Sequence, residues 1–214
     1  MASPTRSAQD TRERLILTAE RLFAERGIGE VSLREVGAAA GQRNTSAAQY
    51  HFGNKDSLIA AILDHRMRVI NDRRLRRLAT MQAEGRSGEL RSLLEACIFP
   101  LAGSTSESGG HYARFLSQCF ADPHFRTSLD WESATSLRLV WAGIRRCLAH
   151  LPESVVQARL RMLEHIVLPT LADHEKIGDV ADADNPAPWT IDLIDAAEGM
   201  LTAAVTAADR ESLP

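Results

Sequence analysis

Apolar residues recur along almost the whole chain at the spacing of three to four residues that is typical of amphipathic helices. In the first such segment Leu15, Ala19, Leu22 and Phe23 share one face, and Gly27 follows as a helix stop. No segment alternates apolar and polar residues as a half-buried strand does. The pattern therefore predicts an all-α fold.

About nine helices are predicted from this periodicity and from the residues that start and stop helices. Ser32 and Glu35 have the spacing of a capping box at the start of the second helix. Pro169 is expected to kink or interrupt its helix, because proline lacks the amide proton. The predicted helices cover residues 10–26, 32–41, a short segment that starts at residue 44, and 54–82, 89–102, 111–121, 128–150, 153–176 and 189–208.

The segment AGQRNTSAAQYHFGNKDSL (residues 40–58) joins two of these helices and contributes few residues to a core. On its short helix, where successive residues are about 100° apart, Ala48 and Phe52 point inward and Tyr50 points nearly opposite. The outer face is small, uncharged and hydrogen-bonding, which suits a recognition helix in the major groove of DNA. The pattern alone fits a helix-turn-helix and an ordinary connecting helix with a solvated face about equally.

If the segment is a recognition helix, its geometry gives two groups of candidate DNA contacts. The group that would contact base edges consists of Thr45, Ser46, Ala47 and Gln49. The group that would hold phosphates consists of Asn44 (as the helix N-cap with free amides behind it), Tyr50, His51 and Lys55, and Arg43 could serve either purpose.

The distribution of charge supports a polyanionic partner for the first third of the chain. Residues 1–80 carry 14 Lys and Arg against 9 Asp and Glu, whereas residues 81–214 carry 11 against 19, within a net charge of −3. A basic N-terminal part on an acidic body indicates that only the N-terminal part faces nucleic acid.

A combination of motifs in residues 11–63 strengthens this interpretation. The stretches RERLILTAERLFAERGIGEVSLREVGAAAG and YHFGNKDSLIAAIL contain an apolar–Ala–apolar–Phe helix, a Ser–apolar–Arg–acid–apolar helix start, an Ala-Gly end and an aromatic turn before Asn-Lys-acid. In this combination the chain resembles the tetracycline-repressor (TetR) family of bacterial regulators. The resemblance implies a three-helix helix-turn-helix head, a C-terminal helical body for an effector and for dimerisation, and no catalytic activity.

The resemblance also bears on individual residues. It implies phosphate contacts for Ser32 and Arg34, and it carries over to His51 and Lys55. The chain departs from the family before the recognition helix, where QRN is one residue longer than usual. Gln49 then stands where the family has a phosphate-binding Tyr, and Tyr50 is the substitute that helical geometry places outward.

The predicted organisation is a flexible N-terminal arm (residues 1–9), a DNA-binding domain (residues 10–55) and an effector-binding and dimerisation domain (residues 56–214). Residues of three predicted helices would line an apolar space with a few polar groups: Cys97, Phe99, His111, Arg114, Phe115, Gln118, Cys119 and Trp141. For each of them a place in the core or on the surface is the simpler alternative.

One stripe on the last helix is predicted to form the homodimer interface: Leu193, Ala197, Leu201, Ala204 and Val205. Packing within one chain would produce the same stripe, and the family resemblance favours the dimer. A two-fold dimer predicts a palindromic operator in double-stranded DNA.

The cysteines and the N-terminal residues help to predict the cellular compartment of the protein. Three cysteines in apolar surroundings indicate reduced, buried thiols, although a redox-sensing role for one of them stays open. The N-terminus has no hydrophobic signal core, and no apolar run approaches the roughly 18 residues of a membrane span. We therefore expect a cytoplasmic protein with no membrane partner.

The alternatives from other classes are a helical enzyme and an adaptor that does not bind DNA. The sequence has no G-x-S-x-G, H-E-x-x-H, P-loop or Rossmann glycine pattern. His111 and Cys119 are eight residues apart without an orienting third group, which is weak support for a nucleophile. The histidines show no paired-ligand spacing, so we expect no metal and no cofactor.

Overall fold

Nine helices and no strand make up the part of the chain that the computed structural model describes, which is residues 4–107, 110–122, 135–179, 181 and 185–205. The all-α prediction is therefore confirmed. The helices are α1 (Pro4–Arg26), α2 (Leu33–Ala39), α3 (Ala47–Phe52), α4 (Lys55–Ala83), α5 (Leu90–Glu107), α6 (Tyr112–Ala121), α7 (Thr135–Cys147), α8 (Glu153–Ile177) and α9 (Pro188–Thr202).

The N-terminal head consists of α1, α2 and α3, which pack on one another and on the start of α4. The predicted inner face of α1 is buried, with Leu15, Ala19 and Phe23 each 0% exposed. Helix α1 begins at Pro4, so residues 4–9, predicted to lie in a flexible arm, belong to its first turns. Proline favours the first helical position, because its φ angle suits a helix and its missing amide proton is not needed there.

Helix α4 runs for 29 residues from the head into the body. Its predicted inner residues Leu58, Ile62, Met67 and Ile70 are buried, whereas Leu78 is only partly buried. Helix α5 packs on α4, α7 and α9, and α6 packs on α8 and on α1. The head and the body therefore meet along α4 and also through α1 and α6.

A buried arginine on α4 hydrogen-bonds to the backbone of α5 near a proline in that helix. Pro100 has no amide proton, so the carbonyl of Ala96, one turn earlier, loses its usual helical partner. The Arg74 side chain is 1% exposed, and its Nε donates to the Ala96 carbonyl at 3.2 Å. The same guanidinium donates to the Cys97 carbonyl at 3.3 Å, so Arg74 supplies donors where the helix lacks one.

Several helix ends differ from the prediction. Pro169 lies inside α8, which continues to Ile177, so the helix is not interrupted at this residue, and the expected kink stays a prediction. Helix α9 ends at Thr202 rather than at residue 208, and Arg159 of α8 donates to the carbonyls of Leu201 and Ala203 at this end, at 2.6 and 2.5 Å. Residues 128–134 and 206–208 of the predicted helices lie outside the described part.

Candidate nucleic-acid interface

Helix α3 presents one side to the core of the head and the other to solvent. Ala48 is 0% exposed and Phe52 is 8% exposed, as the helical periodicity predicts. Tyr50 is 87% exposed, and Gln49 beside it is also exposed. The exposed side of α3 therefore offers an aromatic hydroxyl and an amide, which are groups that hydrogen-bond to bases or phosphates.

The start of α3 differs from the prediction. The helix begins at Ala47 with Ser46 as the N-cap residue, and Asn44 lies two residues before that cap. The Asn44 Oδ1 accepts a hydrogen bond from the Ser46 amide at 3.0 Å, which is a local turn that competes with helix formation. Asn44 is therefore not the N-cap, and Thr45 and Ser46 lie in the turn before α3 rather than on its face.

The turn before α3 lies close to α2 because of a glycine that the helical pattern does not indicate. A Cβ atom on Gly37 would lie 2.5 Å from the Thr45 carbonyl oxygen, so only glycine permits this approach. The position of α3 relative to α2 depends on this contact. A glycine in the middle of the stretch SLREVGAAAG, where it lowers helix propensity, is the feature that could have indicated it.

The predicted capping box at the start of α2 is confirmed. The Ser32 Oγ accepts from the Glu35 amide at 3.2 Å, and the Ser32 amide donates to the Glu35 carboxylate at 2.8 Å. Arg26 also donates to that carboxylate, at 2.8 Å. The Ser32 backbone hydrogen bond, with help from Arg26, lowers the pKa of Glu35 to about 2.

Lys55 has a structural role that the sequence did not indicate. Its Nζ donates to the carbonyls of Ile28 at 2.9 Å and Gly29 at 3.3 Å, in the connection between α1 and α2. These bonds use two of the three ammonium donors. Lys55 therefore joins the start of α4 to the head, whether or not it also contacts a phosphate.

The remaining candidate contacts differ in exposure. The exposed ones are Ser32, Arg34, Arg43, Asn44, Ser46, Gln49 and Tyr50, and the half-buried ones are Thr45, Ala47, His51 and Lys55. The His51 ring lies edge-on to the Tyr50 ring at a centroid distance of 5.4 Å. All of them lie in α2 or at its N-cap, in α3, in the turn between these helices or at the start of α4, so the fold brings them together in the head.

The body contains an apolar cavity of about 80 Å³ between α4, α5, α6, α7 and α8. Two of the predicted effector residues, Cys97 and Trp141, line it, together with Arg74 and Glu164. The remaining lining residues are Met67, Leu101, Leu116, Phe120, Leu137, Leu163, Val167 and Leu168.

The other predicted apolar effector residues lie elsewhere in the core. Phe115 is 0% exposed and stacks on Phe23 of α1 at a centroid distance of 6.1 Å. The guanidinium of Arg77 lies over the ring of Phe99 at 4.8 Å. Cys119 is 0% exposed, and burial raises the pKa of its thiol to about 12. None of these three side chains lines the cavity, because helical periodicity places a residue on an inner face without specifying its neighbours.

The polar groups predicted to orient a ligand are engaged within the fold. The buried Glu175 carboxylate of α8 accepts the amides of Ala113 and Arg114, both at 2.9 Å, and so caps the start of α6. The Arg114 side chain approaches Glu175 at 3.4 Å and contacts the His111 Nδ1 at 2.8 Å. Burial lowers the pKa of His111, with a further contribution from Arg114. His111 and Arg114 are therefore part of a helix cap.

Gln118 connects the body to the head. Its Oε1 accepts from the Ile28 amide at 3.2 Å, and its Nε2 donates to the Ala24 carbonyl at 3.4 Å. Both partners lie at the end of α1 or just after it. The residue predicted as a ligand contact therefore joins α6 to the head.

The predicted dimer stripe is buried within the chain. Leu193 is 7% exposed, and Ala197 and Leu201 are each 0% exposed, on the face of α9 that packs on α5 and α8. Ala204 is exposed and Val205 is half-buried, and both lie beyond the end of α9. The assignment of the first three residues to a dimer interface is wrong, because packing within the chain already covers them.

Within the described residues, no helix is long and apolar enough to cross a bilayer.

Two family models match the chain. Residues 91–204, more than half of the 214 residues, match the model described as "Tetracyclin repressor-like, C-terminal domain". Residues 15–62 match the model described as "Bacterial regulatory proteins, tetR family".

Curated relatives match about a quarter of this chain. The HTH-type transcriptional regulator TtgR of Pseudomonas putida is 40% identical over 57 residues, which is 27% of this chain and 27% of that protein. An HTH-type transcriptional repressor of Mycobacterium tuberculosis is 43% identical over 51 residues, 24% of this chain and 27% of that protein. The match thus spans about a quarter of the length of these relatives.

Solved structures match over most of the chain. Native NalD, the secondary repressor of the MexAB-OprM multidrug efflux pump in Pseudomonas aeruginosa, aligns with a TM-score of 0.56 and 21% identity over 89% of this chain and 96% of NalD. PfmR, a TetR family transcriptional regulator from Thermus thermophilus, aligns with a TM-score of 0.52 and 15% identity over 91% of this chain and 97% of PfmR. At these identities the likeness concerns the fold.

Proposed function

Because this chain belongs to the TetR family of bacterial regulatory proteins, we propose that it is a homodimeric, sequence-specific DNA-binding regulator of transcription. We propose further that it acts as a repressor in the cytoplasm, on double-stranded DNA, and that a small-molecule effector releases it. The head, residues 10–55, would bind the operator, and residues 56–214 would bind the effector and the second protomer.

The observation that carries the proposal is the exposed side of α3. Gln49 and Tyr50 project from a helix whose opposite side, Ala48 and Phe52, is packed into the head. In a major groove Gln49 is suited to adenine, to which an amide side chain can bond through two atoms. Tyr50 and the exposed Arg34 would hold phosphates on either side and so fix the position of the helix.

The test compares two glutamines by fluorescence anisotropy on an operator library. Gln49→Ala should relax the preference at one or two base positions per half-site, with each lost contact costing about 1–3 kcal/mol. Gln82→Ala is the matched control, since Gln82 is exposed at the far end of α4. Equal base preferences for the two variants would contradict the role given to α3. If the wild-type protein binds no DNA in the library in a salt-sensitive manner, an enzyme or an adaptor is favoured instead.

Effector binding would use the cavity beside Trp141. About 80 Å³ is well below the roughly 300–1,000 Å³ of most small-molecule sites, so a ligand must enlarge it. A second groove of about 390 Å³ between α7 and α8 shares Trp141 and Glu164 with the cavity. Movement of the Trp141 side chain would join the two spaces. The lining favours a largely apolar molecule, with one polar end near Glu164 and the groove arginines Arg145 and Arg161.

The signal would reach the head through α6. This helix lines the cavity with Leu116 and Phe120, and it contacts α1 through Gln118 and Phe115. A ligand that enlarges the cavity would therefore displace α6, which contacts the head. Helix α4, which lines the cavity with Met67 and begins in the head, offers a parallel route. The ligand lowers operator affinity only to the extent that it binds the displaced conformation more tightly than the DNA-binding one.

A further inference from the structure

A cavity of about 390 Å³ lies at the end of α4 that is remote from the head, against the start of α5. Four arginines line it: Arg73, Arg76 and Arg77 on α4, and Arg86 in the connection to α5. Thr80 and Ser92 contribute hydroxyl groups. The cavity shares no lining residue with the apolar cavity beside Trp141.

The lining of this cleft carries more positive than negative side chains. Its lining includes one carboxylate, Glu95, which lies 3.6 Å from Arg91 and is partly neutralised by it. Arg73, Arg76 and Arg77 belong to the basic first part of the chain, residues 1–80, with 14 Lys and Arg against 9 Asp and Glu, and Arg86 adds a fourth guanidinium to the lining. A concave surface with low-dielectric walls concentrates the potential of such charges and attracts anions.

Two of the four guanidiniums are held in place before any ligand arrives. Arg77 lies over the Phe99 ring at 4.8 Å from its centroid. Arg86 donates to the Ser92 Oγ at 2.7 Å and also pairs with Glu84. Guanidinium groups that are already oriented lose less conformational entropy when they bind an anion.

We propose that this cleft binds a small polyanion with two or more phosphate or carboxylate groups. The planar fork of a guanidinium can match an oxyanion through two hydrogen bonds, and the cavity has the volume of a small-molecule site. Arg86, whose nitrogens already bond to Glu84 and Ser92, contributes to the shape of the site rather than to this recognition. Operator DNA is not the occupant, because Arg76 follows Lys55 by 21 residues on a helix that rises about 1.5 Å per residue, which places it roughly 30 Å from the head.

The test titrates the full-length protein with inorganic pyrophosphate and, in a parallel arm, with citrate, by calorimetry and by thermal unfolding. Wild-type protein should bind at least one probe and unfold at a higher temperature as the probe concentration rises. Affinity should fall with added salt, since the contacts are ionic. Stronger binding of pyrophosphate identifies phosphate groups, and stronger binding of citrate identifies carboxylate groups.

Arg76→Glu and Arg68→Glu form a matched pair, since both arginines are exposed on α4 and both substitutions change the net charge equally. Arg76→Glu should weaken the preferred probe at least about tenfold, whereas Arg68→Glu should leave its affinity near that of the wild type. Circular dichroism checks that both variants fold. Failure of both probes to bind wild-type protein, or equal affinities for the two variants, would overturn the proposal.

Discussion

Lys55 combines a role in the fold with a predicted role in DNA binding. The motif around it indicates a phosphate contact, whereas the structure shows its ammonium group bound to the carbonyls of Ile28 and Gly29. A loss of operator affinity in a Lys55 variant therefore has two possible causes, a lost phosphate contact or a displaced head. Arg34, which is exposed on α2, separates these causes.

Lys55→Met should lower both the free energy of unfolding and operator affinity. The loss of stability should be about 1 kcal/mol, the usual net worth of a partly exposed hydrogen bond. Arg34→Met should leave stability unchanged, weaken binding to all sequences alike and reduce the salt dependence by about one unit. Urea denaturation and anisotropy at several salt concentrations measure both quantities. Unchanged stability of Lys55→Met would show that the two carbonyls do not depend on this ammonium.

The packing of α2 against the turn before α3 depends on a glycine, Gly37, which has no side chain. At Gly37 a Cβ would meet the Thr45 carbonyl oxygen at 2.5 Å, whereas a Cβ on Gly199 in α9 would meet nothing within 4 Å. Both glycines lie inside helices, where alanine is intrinsically favoured. The two positions therefore separate helix propensity from packing between elements.

Gly37→Ala should destabilise the protein by about 1–3 kcal/mol, because the turn must move away from α2. It should also weaken operator binding, since α3 follows that turn. Gly199→Ala, whose new Cβ meets nothing within the chain, should stabilise the fold by about 0.5–1 kcal/mol. Thermal unfolding and anisotropy provide the measurements. Stabilisation by both substitutions would mean that the close contact is relieved without cost.

Assembly of the whole molecule must use surfaces that the fold leaves open. Leu201 is buried in the chain, whereas Met162 on α8 is 51% exposed and Ile191 on α9 is 40% exposed. We expect a two-fold interface on these outward faces of α8 and α9, since family membership favours a dimer and large apolar side chains are exposed on both helices.

Met162→Glu should therefore give a folded monomer with reduced operator affinity, because each protomer then binds one half-site. Leu201→Glu should instead unfold the protein, since it buries an unpaired charge. Analytical ultracentrifugation and circular dichroism distinguish the two results. A dimeric Met162→Glu protein with wild-type affinity would exclude this surface. A folded monomer from Leu201→Glu would instead support the dimer interface predicted from the sequence, which includes Leu201.

Coupling between body and head should depend on Gln118. Gln118→Ala removes the bonds to Ala24 in α1 and to Ile28 just after it, whereas Gln118→Glu keeps an acceptor for the Ile28 amide. Hydrogen exchange at Ile28 should accelerate clearly in the alanine variant and less in the glutamate variant. Operator affinity should fall by up to about tenfold in the alanine variant, because the head then samples more orientations. Unchanged exchange at Ile28 in both variants would show that this bridge does not hold the head.

Periodicity, capping and turn residues determined most of the helices. The inner face of α1, the capping box of α2 and the buried side of α3 follow from interactions within a few residues, so the sequence alone predicted them. Helix ends were less predictable where another element decides them. At the start of α3, Asn44 and Ser46 are both suitable N-cap residues, and the sequence does not choose between them. At the end of α9, the carbonyls bond to Arg159 of a different helix.

Only the tertiary structure decided which inner faces meet. Leu201 and Trp141 both lie on apolar faces, yet one is fully buried against neighbouring helices and the other lines a cavity. Gln118 and Lys55 likewise bond to backbone groups that are 90 and 27 residues away in the chain. A helical repeat gives the direction of a side chain from its own axis but not the partner across the interface. That partner depends on how the helices cross, which is set by the packing of all side chains together.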